Sequence, residues 1–283
     1  MEKINFHTHT TFCDGKNSPE EMILTAIQKG FSILGFSAHS LLHNPHSWHI
    51  KPESYDAYQK EIMRLKEKYA DKITIYYGFE ADYFCNESIP SKESYKKYNP
   101  DFLIGSVHYV VSKKGYYSVD NSVDKVRDNL IRLYGKADKG FESIDGKKAV
   151  CEYFDAERQM LKKGDFEILG HCDLIKLRNT VLHFFDESES WYKKELKATA
   201  KTAAKAGVIA EINTGAVGRK LMNDFYPSEY FLSLLHDYKV PVCINTDTHS
   251  IETIDCAYEQ AVLAAKKAGY DELIYPFAAR IKI

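Results

Sequence analysis

The chain lacks most of what would direct it to a membrane, to nucleic acid or out of the cell. No apolar run reaches the ~20 residues that a membrane-spanning helix needs. The opening residues, Met1-Glu2-Lys3-Ile4-Asn5-Phe6, carry neither the basic region nor the long apolar core of a signal peptide. The six cysteines (Cys13, Cys85, Cys151, Cys172, Cys243, Cys256) are scattered and form no CxxC pair. Such spacing fits reduced thiols better than a disulfide frame, so a cytoplasmic location is expected. An excess of one charge is also missing. The 38 Lys and Arg stand against 40 Asp and Glu, a formal net charge of −2. No basic surface therefore marks nucleic acid as the partner. Gly-rich phosphate loops of the GxGxxG or GxxxxGKS/T kind are absent, as are internal repeats, low-complexity tracts and flexible linkers.

What the 283 residues do contain is an alternation of strand and helix signals. Short apolar runs at Lys3 to Thr8, Ile33 to Ser37, Ile73 to Phe79, Phe102 to Val107, Phe166 to Gly170, Val208 to Ile212 and Val240 to Asn245 read as strands. Ser18-Pro19-Glu20-Glu21 opens a helix, with Ser18 as N-cap, Pro19 at the first helical position and Glu21 completing a capping box. Further helices are expected from Pro52 to Tyr69, Ser190 to Ala206, Pro227 to Tyr238 and Ile254 to Ala268. Repeated βα units imply parallel strands covered by helices, and seven strands is one short of the usual eightfold barrel. The rhythm breaks between about Ser112 and Lys148. That stretch holds a short hairpin around Lys113-Lys114-Gly115, a helix near Asp124 to Tyr134 and a polar loop from Gly135 to Gly146. It is read as an excursion over the mouth of a single domain spanning 1–283.

The histidines and acids fall in a pattern on this frame. His7-Thr-His9, His39, Glu80, His108, His171 and Asp247-Thr-His249 each follow an apolar run, so they occupy the C-terminal ends of strands. In a parallel barrel those ends converge on one face. Residues two apart on a strand point to one side, so His7 and His9 can share a metal, and Asp247 and His249 project together. Asp14, in Phe12-Cys13-Asp14-Gly15, has by itself the look of an ordinary turn aspartate. Each histidine alone is an unremarkable strand residue. Together, neutral imidazoles and carboxylates on one face are what divalent ions require. Asp247 and His249 are candidates either for ligation or for proton transfer. Arg219 and Arg178, in loops beyond strands on the same face, are candidates for binding phosphate through a bidentate guanidinium. Glu211 and Asn213 are placed to orient ligands from behind. His43, His46 and His49 are read as a solvated loop, and Cys172 as a buried structural thiol.

These residues resemble the polymerase and histidinol phosphatase (PHP) superfamily. The strings His7-Thr-His-Thr-Thr-Phe-Cys-Asp-Gly15, Tyr77-Gly-Phe-Glu-Ala-Asp-Tyr83, Ile104-Gly-Ser-Val-His-Tyr109, Leu169-Gly-His-Cys-Asp-Leu-Ile175 and Tyr226-Pro-Ser228 are similar to its stand-alone histidinol-phosphatase branch. The resemblance implies a distorted seven-stranded (β/α)7 TIM-like barrel with three divalent ions, Zn, Mn or Fe, at the strand ends. Carried over by position, His7, His9, Glu80 and Asp247 would hold the first ion. Glu80, His108 and His171 would hold the second, and Asp14, His39 and His249 the third. Relatives often carry histidine where this chain has Asp14, and aspartate is a harder ligand. The implied activity is hydrolysis of L-histidinol phosphate to L-histidinol and phosphate in histidine biosynthesis. The partner is thus a small phosphomonoester, with Asp82 and Asp120 as acids near the mouth for its ammonium and imidazole. The same site would serve another phosphomonoester (a nucleotide, a sugar phosphate or a phosphotyrosyl peptide), or a metal-binding regulatory protein without turnover.

Overall fold

Seven strands form one parallel sheet in the computed structural model, which describes residues 2–42, 45–85, 87–136 and 139–283. In chain order the strands are β1 (Lys3–Asn5), β2 (Phe31–Ser40), β3 (Thr74–Asp82), β4 (Phe102–Ser106), an antiparallel hairpin of β5 (Tyr109–Ser112) and β6 (Gly115–Ser118), then β7 (Ile168–Leu169), β8 (Ile209–Asn213) and β9 (Val242–Asn245). The sheet runs β1-β2-β3-β4-β7-β8-β9, with every pairing parallel. Register places His39 beside Glu80 on the neighbouring strand.

The sheet curls into a nearly closed barrel, and the seam between β9 and β1 is made by side chains. The Phe6 amide donates to Asn245 Oδ1 at 2.8 Å, and the Thr246 amide to Asn5 Oδ1 at 2.9 Å. An asparagine amide reaches across a gap that a backbone carbonyl does not span. Just past this seam the His9 amide donates to Thr248 O at 2.9 Å, and Thr248 N to His7 O at 3.2 Å. Closure thus brings the first and last histidine motifs of the chain side by side.

The covering helices follow local signals closely. α1 (Pro19–Gln28) starts with the expected capping box: Ser18 N donates to Glu21 Oε2 at 2.8 Å, and Glu21 N to Ser18 Oγ at 3.3 Å. A 3-10 turn at Pro52–Ser54 precedes α2 (Tyr55–Lys68), and α3 is a single turn at Lys92–Tyr95. Within the excursion, β5-β6 and α4 (Val123–Tyr134) correspond to the expected hairpin and helix.

One long element was not anticipated. α5 (Gly146–Lys163) begins inside the expected polar loop, where Asp145 caps it by accepting from Lys148 N at 2.9 Å. Its buried face contains a glutamate, Glu157, among the apolar side chains, and lysines and acids crowd the rest. That mixture obscures the helical period. The helices α7 (Ser190–Ala206), α9 (Glu229–Asp237) and α10 (Tyr258–Ala268) complete the outer layer, while the single turns α6 (Asn179–Leu182) and α8 (Gly215–Gly218) lie in the connections that follow β7 and β8. A short antiparallel pair, β10 (Glu272–Ile274) and β11 (Arg280–Lys282), also unanticipated, ends the chain. Among the described residues, no helix is long and apolar enough to cross a membrane.

Candidate metal centre

Glu80 is the hub of the strand-end cluster. It is wholly buried at the end of β3, and its Oε2 lies 3.1 Å from His7 Nε2, 3.5 Å from His9 Nε2 and 2.8 Å from His39 Nδ1. Its Oε1 lies 2.8 Å from His171 Nε2 and 3.4 Å from His108 Nε2, and accepts from Ser106 Oγ at 2.7 Å. Asp247 approaches from the far side of the seam. Its Oδ1 sits 3.6 Å from His7 Nε2, 3.3 Å from His9 Nε2 and 3.6 Å from His249 Nδ1. Asp14 Oδ1 lies 3.4 Å from His249 Nε2 and 3.7 Å from His39 Nε2. All nine residues that the resemblance makes ligands are thus brought together.

Three groups have donor atoms mutually within 4.8 Å: His7, His9 and Glu80; His39, Glu80 and His108; and His9, Asp14, His39 and His249. These overlap the three sets implied by the family resemblance without reproducing them. His39 faces both Glu80 and Asp14.

The cluster has the character of a cation site. His7 Nε2, His9 Nε2, His39 Nδ1 and Glu80 Oε2 are buried and crowd one another at 2.8–3.5 Å without a well-directed hydrogen bond. Such orphaned atoms are costly in a folded interior. Two ligands about 2.0–2.1 Å from a tetrahedral zinc stand about 3.3 Å apart, and the separations above bracket that value. The residues present therefore fit divalent ions.

Electrostatics tells the same story. Burial opposes the charged form of Glu80, but His7, His39 and His108 outweigh it and hold the carboxyl well below the ordinary range. Burial also works against charging His7, yet Glu211, Glu80 and Asp247 around it raise its pKa well above the usual value. His9 goes the other way: burial, then His249 and His39, keep it neutral, with its lone pair free.

Behind the cluster, other groups fix the rings. Glu211 is buried and accepts from His7 Nδ1 at 2.9 Å, His171 N at 2.8 Å, Asn213 Nδ2 at 2.7 Å and Asn245 Nδ2 at 2.9 Å. Glu211 holds a proton on His7 Nδ1, so Nε2 is the ring atom turned toward Glu80 and Asp247, and the one that would bind a divalent ion in place of a proton. Asp82 plays the same part for His108, pairing with its Nδ1. His49 Nδ1 accepts from His46 N at 2.8 Å, and its Nε2 lies 2.7 Å from Asp82 Oδ2 and 2.8 Å from Trp48 Nε1.

Two sequence expectations are corrected here. Asp82 is not an acid at the mouth but a fully buried orienting group, and His49 is not solvated but buried behind it. The alternation Glu80-Ala-Asp82 on one strand was the available signal, since residues two apart share a side. His46, His183 and His236 join no donor group, and His43 lies outside the described residues. Burial raises the Cys172 pKa well above the usual value, keeping the thiol neutral.

The cluster opens into a cavity of about 310 Å³ whose walls include Arg219, Arg178, Asp120, Trp48 and Leu174. Arg219 Nη2 lies 3.1 Å from Asp247 Oδ2, while its Nη1 donates to Asp247 O at 3.1 Å and His249 Nδ1 at 3.0 Å. Arg178 is clamped by the excursion, donating to Asp120 O and Asn121 O, each at 2.6 Å. Asp247 has a left-handed φ of 45°, which turns its carboxylate back over the strand end. Gly215 makes room for it, because a Cβ there would lie 2.7 Å from Asp247 Oδ2.

Comparisons with known proteins agree with this geometry. A probable histidinol-phosphatase of Schizosaccharomyces pombe is 28% identical over 95% of this chain and 88% of its own length. A crystal structure from Listeria monocytogenes superposes with a TM-score of 0.79 at 21% identity, covering 91% of this chain and 99% of that one. A histidinol phosphate phosphatase of Lactococcus lactis, solved with zinc, L-histidinol and phosphate, superposes with a TM-score of 0.67 at 21% identity, covering 96% and 95%. Residues 5–215, well over half of the chain, match the PHP domain, and the chain belongs to that family.

Proposed function

We propose that the protein is a metal-dependent phosphomonoesterase that hydrolyses L-histidinol phosphate to L-histidinol and phosphate, a step of histidine biosynthesis. The observation that carries this reading is the set of buried, unpartnered His and Glu donor atoms around Glu80, opening into a small cavity that also holds two arginines. His7, His9, Glu80 and Asp247 would hold one ion, Glu80, His108 and His171 a second, and Asp14, His39 and His249 a third. Zn, Mn and Fe all accept this mixture of imidazole and carboxylate, and Asp14 favours a harder ion in the third position. Such ions acidify water towards neutral pH and stabilise charge on phosphoryl oxygens during in-line displacement.

The chain's own groups do the rest. Arg219, positioned by Asp247, and Arg178, positioned by the excursion, present guanidinium groups to the phosphoryl oxygens. Asp247 and His249 stand beside that position; Arg219 and His7 outweigh burial and keep the Asp247 carboxylate ionised, so it is placed to take the proton of the attacking water and relay it to the leaving alkoxide. Asp120, on the cavity wall, matches the substrate's ammonium, and Trp48 its imidazole ring. The stretch 112–148 contributes that wall and so shapes the mouth of a single domain. A volume of about 310 Å³ suits a small monoester rather than a polymer. The Lactococcus lactis relative, with its zinc, L-histidinol and phosphate, supports the same reading.

The test is phosphate release from L-histidinol phosphate beside a panel of nucleotides, sugar phosphates and phosphotyrosyl peptides. The protein is first stripped with a chelator, then restored with Mn or Zn. Metal-dependent preference for histidinol phosphate is the expected result. Metal-dependent release from the other esters alone would retain the site and remove the substrate. No release from any ester by protein with metal bound would overturn the enzymatic reading.

A further inference from the structure

A second cavity, of about 580 Å³, lies between the excursion and the loop that carries His46 and Trp48. It is larger than the cavity over the metal centre, and Trp48 lines both. One side is aromatic. His46 stacks on Tyr109 with ring centroids 5.2 Å apart and planes at 26°, and Trp48 lies 5.8 Å from the same Tyr109 ring. The opposite side is α4, which contributes Lys125, Asn129 and Arg132. Residues at this spacing occupy one helix face.

The lining contains two cations and no carboxylate among the described residues. Arg132 is anchored by Asn129 Oδ1 at 2.6 Å and Tyr116 O at 3.1 Å, with no acid against it. The acids Asp124 and Asp128 on the same helix lie against Arg127 instead. Asp120, next to the lining residue Asn121, lines the metal-side cavity. Tyr109 supplies a further sign: only 2% exposed, it has a hydroxyl with no hydrogen-bond partner. The ammonium and the guanidinium are both donors, and no acid pairs with either among the described residues; Tyr109 also lines a smaller neighbouring cavity.

We propose that this cavity is a separate binding site for a small aromatic anion, a planar ring bearing a carboxylate, sulfonate or phosphate. The ring packs against His46, Trp48 and Tyr109, and the anionic group faces Lys125 and Arg132. The volume falls within the usual range of small-ligand sites, roughly 300–1,000 Å³. The site needs neither metal nor turnover, so it stands or falls independently of the phosphatase reading.

Trp48 makes the test direct, because the only other tryptophan is Trp191. In a Trp191→Phe background, Trp48 fluorescence is titrated with benzenesulfonate, whose anionic group is a poor metal ligand. Benzylammonium and benzyl alcohol serve as matched controls, and Arg219→Ala removes a cation of the metal-side cavity. The expected result is a saturable change with benzenesulfonate that persists in Arg219→Ala and after chelation. The double variant Lys125→Ala/Arg132→Ala should weaken it by roughly tenfold or more, as loss of charge-assisted contacts does. Should that variant melt abnormally, Lys125→Glu alone should show the same direction of effect. Equal binding of benzylammonium, abolition in Arg219→Ala, insensitivity to the Lys125 and Arg132 substitutions, or no saturable change would each overturn the proposal.

Discussion

Replacing Glu211 by glutamine tests the link between the buried hydrogen-bond frame and the metal cluster. Glu211 Oε1 takes His171 N and Asn213 Nδ2, Oε2 takes Asn245 Nδ2, and His7 Nδ1 is shared between them, 2.9 Å from Oε2 and 3.2 Å from Oε1. A glutamine keeps one accepting oxygen and turns an NH2 toward the other pair. Two buried N–H groups then lose their acceptor, at about 1–3 kcal/mol each, or about 2–6 kcal/mol in all. Against a total stability of about 5–15 kcal/mol, that is a large loss.

His7 can relieve part of the loss by changing tautomer, accepting from the new NH2 at Nδ1 and carrying its proton on Nε2. That proton then occupies the lone pair facing Glu80 and Asp247. Metal affinity should fall by about 10–100-fold, as it does when an orienting carboxylate is removed elsewhere. The two readouts are therefore reciprocal: the more His7 changes tautomer, the smaller the drop in stability and the larger the loss of metal affinity. Urea unfolding in chelator measures the first, and competition with a chromophoric chelator measures the second. An unchanged midpoint together with unchanged metal affinity would refute the reasoning.

His171→Ala and Asp247→Ala should each lower turnover by at least about a thousandfold while leaving the circular dichroism spectrum intact; wild-type rates in either would remove the proposed ligand assignment. Metal uptake should release protons. Burial works against charging His39, but Glu80 and Asp14 outweigh it and lift its pKa to about 9. In the metal-free protein this raised pKa contributes stability that is full below about 6.5 and is lost as pH rises through about 9. Metal affinity should therefore climb between pH 7 and 9, and calorimetry in buffers of different ionisation enthalpy should count the protons; zero release would contradict the shift. Gly215→Ala places a Cβ 2.7 Å from Asp247 Oδ2. It should cut kcat/KM by about a hundredfold through displacement of that carboxylate, at a stability cost of about 1–3 kcal/mol, and unchanged kinetics would show that the carboxylate tolerates the shift.

Much of this molecule was legible before any coordinates. The apolar runs located all seven barrel strands, and the Ser18 to Glu21 box located α1, because a turn or a strand depends on neighbours a few residues away. The positions of His7, His9, His39, Glu80, His108, His171, Asp247 and His249 at strand ends followed from the same local pattern. Local reading failed where a face mixed polar and apolar residues. α5 carries Glu157 in its buried stripe and was missed, and His49 sat in a polar stretch that resembled a solvated loop.

What tertiary structure alone decided concerns distances between segments far apart in the chain. The seam sealed by Asn5 and Asn245 brings Asp247 against His7 and His9, and the β2-β3 register sets His39 against Glu80. The roles of Asp82 and His49 as supports, the clamping of Arg178 by Asp120 and Asn121, and the second cavity beside Trp48 likewise emerge only on folding. The physical reason is one of range. Propensity and periodicity act over a helical turn or two and are written into adjacent residues. Register, closure and the partner of a buried polar atom depend on contacts among distant segments, which exist only once the hydrophobic strands and helices have packed.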